Sequence, residues 1–189
     1  MIRYNNAKMA ELNQALCQFS SKLYDQICGE QRGNLQNVLL SPLSIYTACL
    51  MVLAGADGVT KNEILNALCI SKEETSETLH QTFGSNLMNY FKPTVGVDVF
   101  IANRMFLLKE AKIVAAYEQT LAKYYEASAE KLNALKDLEA MRQHINKWVE
   151  KQTKDKIKDL LPQNALSDGS TLVLMNAIYF KGFWKEEFD

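Results

Sequence analysis

Residues 172–180 are almost continuously apolar, broken only by Asn176, and no other stretch limits the fold so tightly. Such a run reads as a β-strand covered on both faces. A neutral amide within it costs free energy unless it is paired, so Asn176 should have a specific partner. Upstream, Leu138, Met141, Ile145, Trp148 and Val149 fall at i, i+3, i+7, i+10 and i+11, with charges filling the other face. That stripe predicts a surface helix laid across something apolar. A strand needing cover and a helix needing a floor together predict a helix lying on a sheet. The expected class is mixed α and β.

The remaining segments fit that class. Leu12, Leu16, Phe19, Leu23 and Ile27 trace one face of a helix that Gly29 can stop. Residues 38–40 read as a short buried strand. Ser41 is placed to cap the next helix, with Pro42 in its first turn, where a missing N–H costs nothing. Residues 43–54 are apolar on nearly every side, which predicts a helix buried all round and ended by Gly55. Thr60 and Glu63 make a capping box for a helix with Ile64, Leu65 and Leu68 inside, and Ser71 to Glu74 repeat the pattern. Leu79, Phe83, Leu87 and Tyr90 mark a further helix, closed by Lys92-Pro93. Gly96 leads into a strand over 97–108, and Ile113, Tyr117, Leu121 and Tyr124 suggest another helix. No repeat, low-complexity tract or linker divides the chain, so residues 1–189 read as one domain or as one piece of a larger domain.

Charge and composition exclude several functions. Lysine and arginine total 21 against 22 acids, which argues against the basic footprint of a nucleic-acid binder. No apolar run approaches the roughly 20 residues of a membrane span. The first residues lack the apolar core of a signal peptide, so the expectation is either no cleaved signal or a mature or recombinant start. The 4 cysteines, Cys17, Cys28, Cys49 and Cys69, include no C-x-x-C pair. Cys17 and Cys28 are about 16 Å apart along one helix, too far for a disulfide, so the thiols are expected to be reduced and buried. No Asn-x-Ser/Thr acceptor occurs. Both features lean towards a reducing compartment. The two histidines, His80 and His144, sit outside any hydrolase or zinc motif and are expected to be partly exposed on helices. Neither an enzyme nor a cofactor or metal site is expected.

Several stretches resemble one family. Asn37-Val38-Leu39-Leu40-Ser41-Pro42-Leu43-Ser44 is similar to its N-x-x-x-S-P-x-S segment, and Gly55-Ala56-Asp57-Gly58-Val59-Thr60 to its G-A-x-G-x-T run. Ala102-Asn103-Arg104-Met105-Phe106 resembles A-N-x-L-F. Ile145-Asn146-Lys147-Trp148-Val149 matches I-N-x-W-V, and the T-x-x-K-I-x-x-L-L run follows from Thr153 to Leu161. The strongest match lies between Leu172 and Trp184, against L-x-L-x-N-A-x-Y-F-K-G-x-W, with Phe180, Lys181 and Gly182 at its centre. In this order and spacing they resemble the N-terminal half of a serpin. One departure is Asp155, where the family usually has glycine. Aspartate tolerates left-handed geometry, so a modest local change is expected.

The resemblance implies a chain that ends after the third strand of the central sheet A, before the reactive loop. In the family a protease cleaves that loop and forms an acyl-enzyme; the loop then inserts into sheet A and distorts the protease. Strand 172–180 would be one lip of the slot. Ser41, Ser44 and Asn176 would belong to the shutter beneath it, and Trp184 would sit where the loop first enters the sheet. Ser41 and Ser44 also suit plain helix-start roles, and Trp148 suits packing beneath its helix. The implied partner is a serine protease, with cysteine proteases as a further class; no nucleic acid or membrane partner is expected. The alternative is a non-inhibitory serpin acting as a chaperone, carrier or storage protein. Some serpins bind heparin on the helix matching 74–90, but that stretch has no Lys or Arg here, so no heparin site is expected there. Lys147, Lys151, Lys154, Lys156 and Lys158 read as a solvated face. The family default is extracellular, against the reducing lean of the residues. By itself the chain is expected to inhibit nothing, and to aggregate, swap domains or need its C-terminal half.

Overall fold

The computed structural model of the chain describes residues 2–30, 37–71, 76–90, 96–110, 112–184 and 186. They divide into two units, 1–86 and 87–189.

The first unit is helical. Helix α1 (Ile2–Glu30) carries the predicted apolar stripe, and α2 (Pro42–Leu53) begins where expected. Ser41 caps α2 by accepting the Ser44 N–H at 3.4 Å, and Pro42 occupies the first turn. Helices α3 (Gly58–Ala67) and α4 (Ser76–Tyr90) follow. The core centres on Tyr46, which is fully buried and donates its hydroxyl to the Leu68 carbonyl at 3.3 Å. Its ring meets Phe19 edge-on at 5.3 Å and Phe83 at 5.7 Å, and Leu50, Met51, Leu65 and Leu79 fill in around it.

Expectations for this unit need correction at several points. Residues 38–40 form no strand, and Leu39 is fully exposed, because no described strand offers their backbone a ladder. Helix α2 is not buried all round: Ile45 and Val52 face outward. The Thr60–Glu63 box does not form, since α3 starts three residues earlier, with Asp57 rather than Thr60 as N-cap, and Thr60 lies inside it, exposed. The thiols are reduced, but Cys17 is exposed and the other three are half-buried. The second capping pattern and Lys92-Pro93 fall outside the described residues.

In the second unit the strands β1 (Val97–Leu107), β2 (Ser128–Lys131) and β3 (Leu172–Gly182) form a sheet in the order β2-β1-β3. β1 runs parallel to β2 and antiparallel to β3, pairing Asn103 with Asn176 and Arg104 with Met175. Helix α5 (Ala115–Tyr125) precedes β2, and α6 (Leu138–Gln152) precedes the connection to β3. Asp137 caps α6 by accepting the Ala140 N–H at 2.8 Å, with Glu139 in the first turn and Lys151 in the last, both matched to the helix dipole.

The stripe on α6 does what its spacing predicts. Met141, Ile145 and Val149 are buried in one cluster with Phe106, Leu108, Leu132, Met175 and Ala177, and Trp148 packs at its edge. β3 corrects one expectation: only Met175 and Ala177 are buried, and the strand is exposed from Phe180 onward. At Asp155 the backbone is left-handed, φ +59°, as glycine would have been. Lys154 beside it is also left-handed, and its ammonium lies 4.2 Å from the Phe100 ring centre and 3.6 Å from the Asp98 carboxylate. Lys147, Lys151, Lys156 and Lys158 are exposed, Lys158 pairing with Glu150 at 3.1 Å.

Candidate functional site

The antiparallel register puts Asn103 and Asn176 side by side on one face of the sheet. Asn176 donates its amide to Asn103 Oδ1 at 2.7 Å, and Asn103 donates its own amide to the Tyr125 carbonyl at the end of α5, at 2.8 Å. This short chain has a direction. The Tyr125 oxygen can only accept, so Asn103 must turn its NH2 towards it and its oxygen towards Asn176. Asn176 must then present its NH2 in turn, which points its oxygen away. That oxygen is buried and has no hydrogen-bond partner among the described residues. A buried, unsatisfied acceptor costs about 1–3 kcal/mol, so a donor that reached this oxygen would be stabilising.

β3 is also the edge of the sheet among the described residues, with one side paired to β1 and the other open. The open acceptor and the open strand edge therefore belong to the same element. Beyond them the strand becomes exposed: Phe180 is 68% and Trp184 71% accessible. Lys181 lies 5.2 Å from the ring centre of Phe183. Gly182 leaves room for the Phe180 ring, which a Cβ would approach to 3.1 Å.

The candidate residues thus separate. Asn176 and Asn103 come together; Ser41 and Ser44 lie in the first unit, joined to each other by the cap; Trp184 follows the end of β3. Asn37 is exposed ahead of that cap. Trp148 stacks edge-on against Phe106 at 5.5 Å, with the Arg104 guanidinium 5.1 Å from its ring centre, which makes it a packing residue. Arg104 pairs in turn with Glu130 at 2.7 Å, and His144 reaches the other oxygen of Glu130 at 2.7 Å. The histidines differ: His144 is partly exposed, whereas His80 is buried, contrary to expectation. Sequence reasoning treated Asn103 only as a motif position. Its polar side chain at a buried point of β1, opposite Asn176, was the available signal, but the register was needed to read it. Among the described residues no group of His, Cys, Asp and Glu gathers as a metal site would require.

Comparison with known proteins decides the family. The profile described as Serpin (serine protease inhibitor) matches residues 14–189. The chain belongs to the serpin family. Human Serpin B9 is 36% identical over 181 residues, covering 96% of this chain and 47% of that protein. Bovine Serpin B6 is 39% identical over 158 residues, covering 83% of this chain and 42% of that protein. A crystal structure of cleaved kallistatin complexed with heparin superposes with a TM-score of 0.86 at 30% identity, over 96% of this chain and 52% of the other. The chain thus spans about half the length of the serpins it matches.

Proposed function

We propose that this chain supplies one lip and part of the shutter of a serine-protease inhibitor that works by inserting its cleaved reactive loop beside β3. The observation that carries the reading is the combination on β3 of an open backbone edge with the buried, unsatisfied acceptor of Asn176. An unpaired strand edge takes another strand readily, since every added ladder bond satisfies a backbone group that is otherwise left to water. A donor arriving with the new neighbour would complete the Asn176–Asn103–Tyr125 chain. Ser41 and Ser44 are assigned to the shutter by family resemblance, and Trp184 is assigned on the same ground to the place where the loop first enters the sheet.

Insertion has a thermal signature. Cleaving the reactive loop of the whole protein should add a strand to the sheet and raise its unfolding midpoint by about 10 °C or more, each kcal/mol being worth roughly 2 °C at such a size. A cleaved protein that melts at the uncleaved temperature would contradict insertion and favour the non-inhibitory reading.

A further inference from the structure

Two buried side chains of α6 that lie outside the apolar cluster beneath it fasten the stretch between α6 and β3. They act beside the surface pair of Glu150 with Lys158 and the packing of Ile157, Leu161 and Leu166 against that cluster. Leu161 is gripped at both of its backbone groups. Asn146 accepts its N–H at 2.8 Å and donates to its carbonyl at 2.9 Å, in the manner of a paired strand. Arg142 donates to the same carbonyl at 2.6 Å. The guanidinium is aimed by Glu139, which receives its Nε at 2.8 Å and Nη2 at 2.7 Å. These bonds from Arg142, with another from Gln143, draw the Glu139 carboxyl down to about 2, so the pair stays ionised at ordinary pH. Arg142 and Asn146 are both buried, and they stand four residues apart on one flank of the helix.

The helix itself docks through other positions. Met141, Ile145 and Val149 enter the core beneath it, and Trp148 meets Phe106 and Arg104. The fastened stretch also holds an unusual backbone: Lys154, Asp155, Asp159 and Asn164, none of them glycine, all have φ between +49° and +62°. Side chains with a Cβ resist that region, so the path is held from outside. Its far end is tied to the residues that follow β1, where Lys109 donates to the Asp168 carbonyl and the Leu108 N–H donates to the Thr171 carbonyl at 3.0 Å, immediately before β3.

We propose that Arg142 and Asn146 form a latch on this connection, one that can open while α6 stays docked on the sheet. Opening exchanges the grip on Leu161 for water and lets the left-handed residues relax. It gives β3 a free leader without lifting the helix. The consequence for loop insertion rests on the function proposed above; the latch itself does not.

Hydrogen exchange on the full chain, with the Trp148 indole resonance as a monitor of docking, separates the two fastenings. Asn146→Ala should speed exchange over residues 153–164 at least about 10-fold, as expected when a local opening replaces a closed state, and leave the amides of α6 and the indole resonance unchanged. Arg142→Met should act in the same direction and less strongly, because Asn146 still holds Leu161. Asn146→Asp, which keeps the acceptor for the Leu161 N–H, should restore part of the protection. Loosening of α6 together with the connection would overturn the latch, as would an unchanged connection. If neither Asn146→Ala nor Arg142→Met folds, clasp and docking are inseparable and the inference fails. Failure here leaves the thermal response to loop cleavage untouched, so the two readings stand or fall separately.

Discussion

Phe106→Ala is expected to destabilise the second unit by about 4 kcal/mol, the range for removing a buried aromatic ring and leaving a cavity. Phe106 is fully buried and stands at the junction of every element that covers this face of the sheet. Its ring meets Trp148 edge-on at 5.5 Å and His144 at 6.3 Å, and the Arg104 guanidinium lies 6.0 Å from its centre. Truncation therefore strips contacts from α6 and β1 at once. A loss of this size is a large part of the roughly 5–15 kcal/mol that holds a domain together. Urea unfolding followed by tryptophan emission measures it. Phe180→Ala is the control: that ring is 68% accessible, and its removal should change stability by less than about 0.5 kcal/mol. Equal effects at the two positions would place the core elsewhere.

The second large effect concerns acid. His80 is 2% exposed, and burial first, then the neighbouring Lys61 charge, lowers its pKa from 6.5 to about 4. The folded form thus resists a proton that the unfolded chain accepts. Stability is fully present above pH 6.5 and is lost as the pH falls from there towards about 4. Between pH 7.5 and pH 5 the loss should be about 2 kcal/mol, from the 1.36 kcal/mol that each pKa unit represents. Glu139 responds only lower, from 4.5 down to about 2, so the two groups titrate in separate windows. Denaturant midpoints at the two pH values test the claim in the wild-type chain and in His80→Leu. The variant should lose most of the pH dependence; an equal slope in both would contradict the assignment.

Much of the fold was legible because burial leaves a period in the sequence. The stripe from Leu138 to Val149 predicted both α6 and the face it buries, and Asn176 in its apolar strand predicted a polar partner. What could not be read depended on neighbours distant in sequence. β2 is only Ser128-Ala129-Glu130-Lys131, too short and polar for a pattern, and it is a strand solely because β1 offers a parallel ladder to it. Residues 38–40 show the converse: an apolar run that lacks a described partner strand forms no ladder, and Leu39 is left fully exposed. The Thr60–Glu63 box lost to an earlier start because Gly58, at φ +58°, lets the chain turn into α3 directly after Asp57. Asn103 was missed as a site residue for the same reason as β2: its meaning lies in the register opposite Asn176. His80 was misjudged because a helix position does not by itself say which face is inside.

The claim that this chain forms half of a loop-inserting inhibitor is tested most directly by incubating the whole protein with trypsin-like and chymotrypsin-like serine proteases and examining the mixture on denaturing gels. The expected result is a covalent complex that survives SDS, formed as the trapped acyl-enzyme. Cleavage of the loop with no such complex would contradict it.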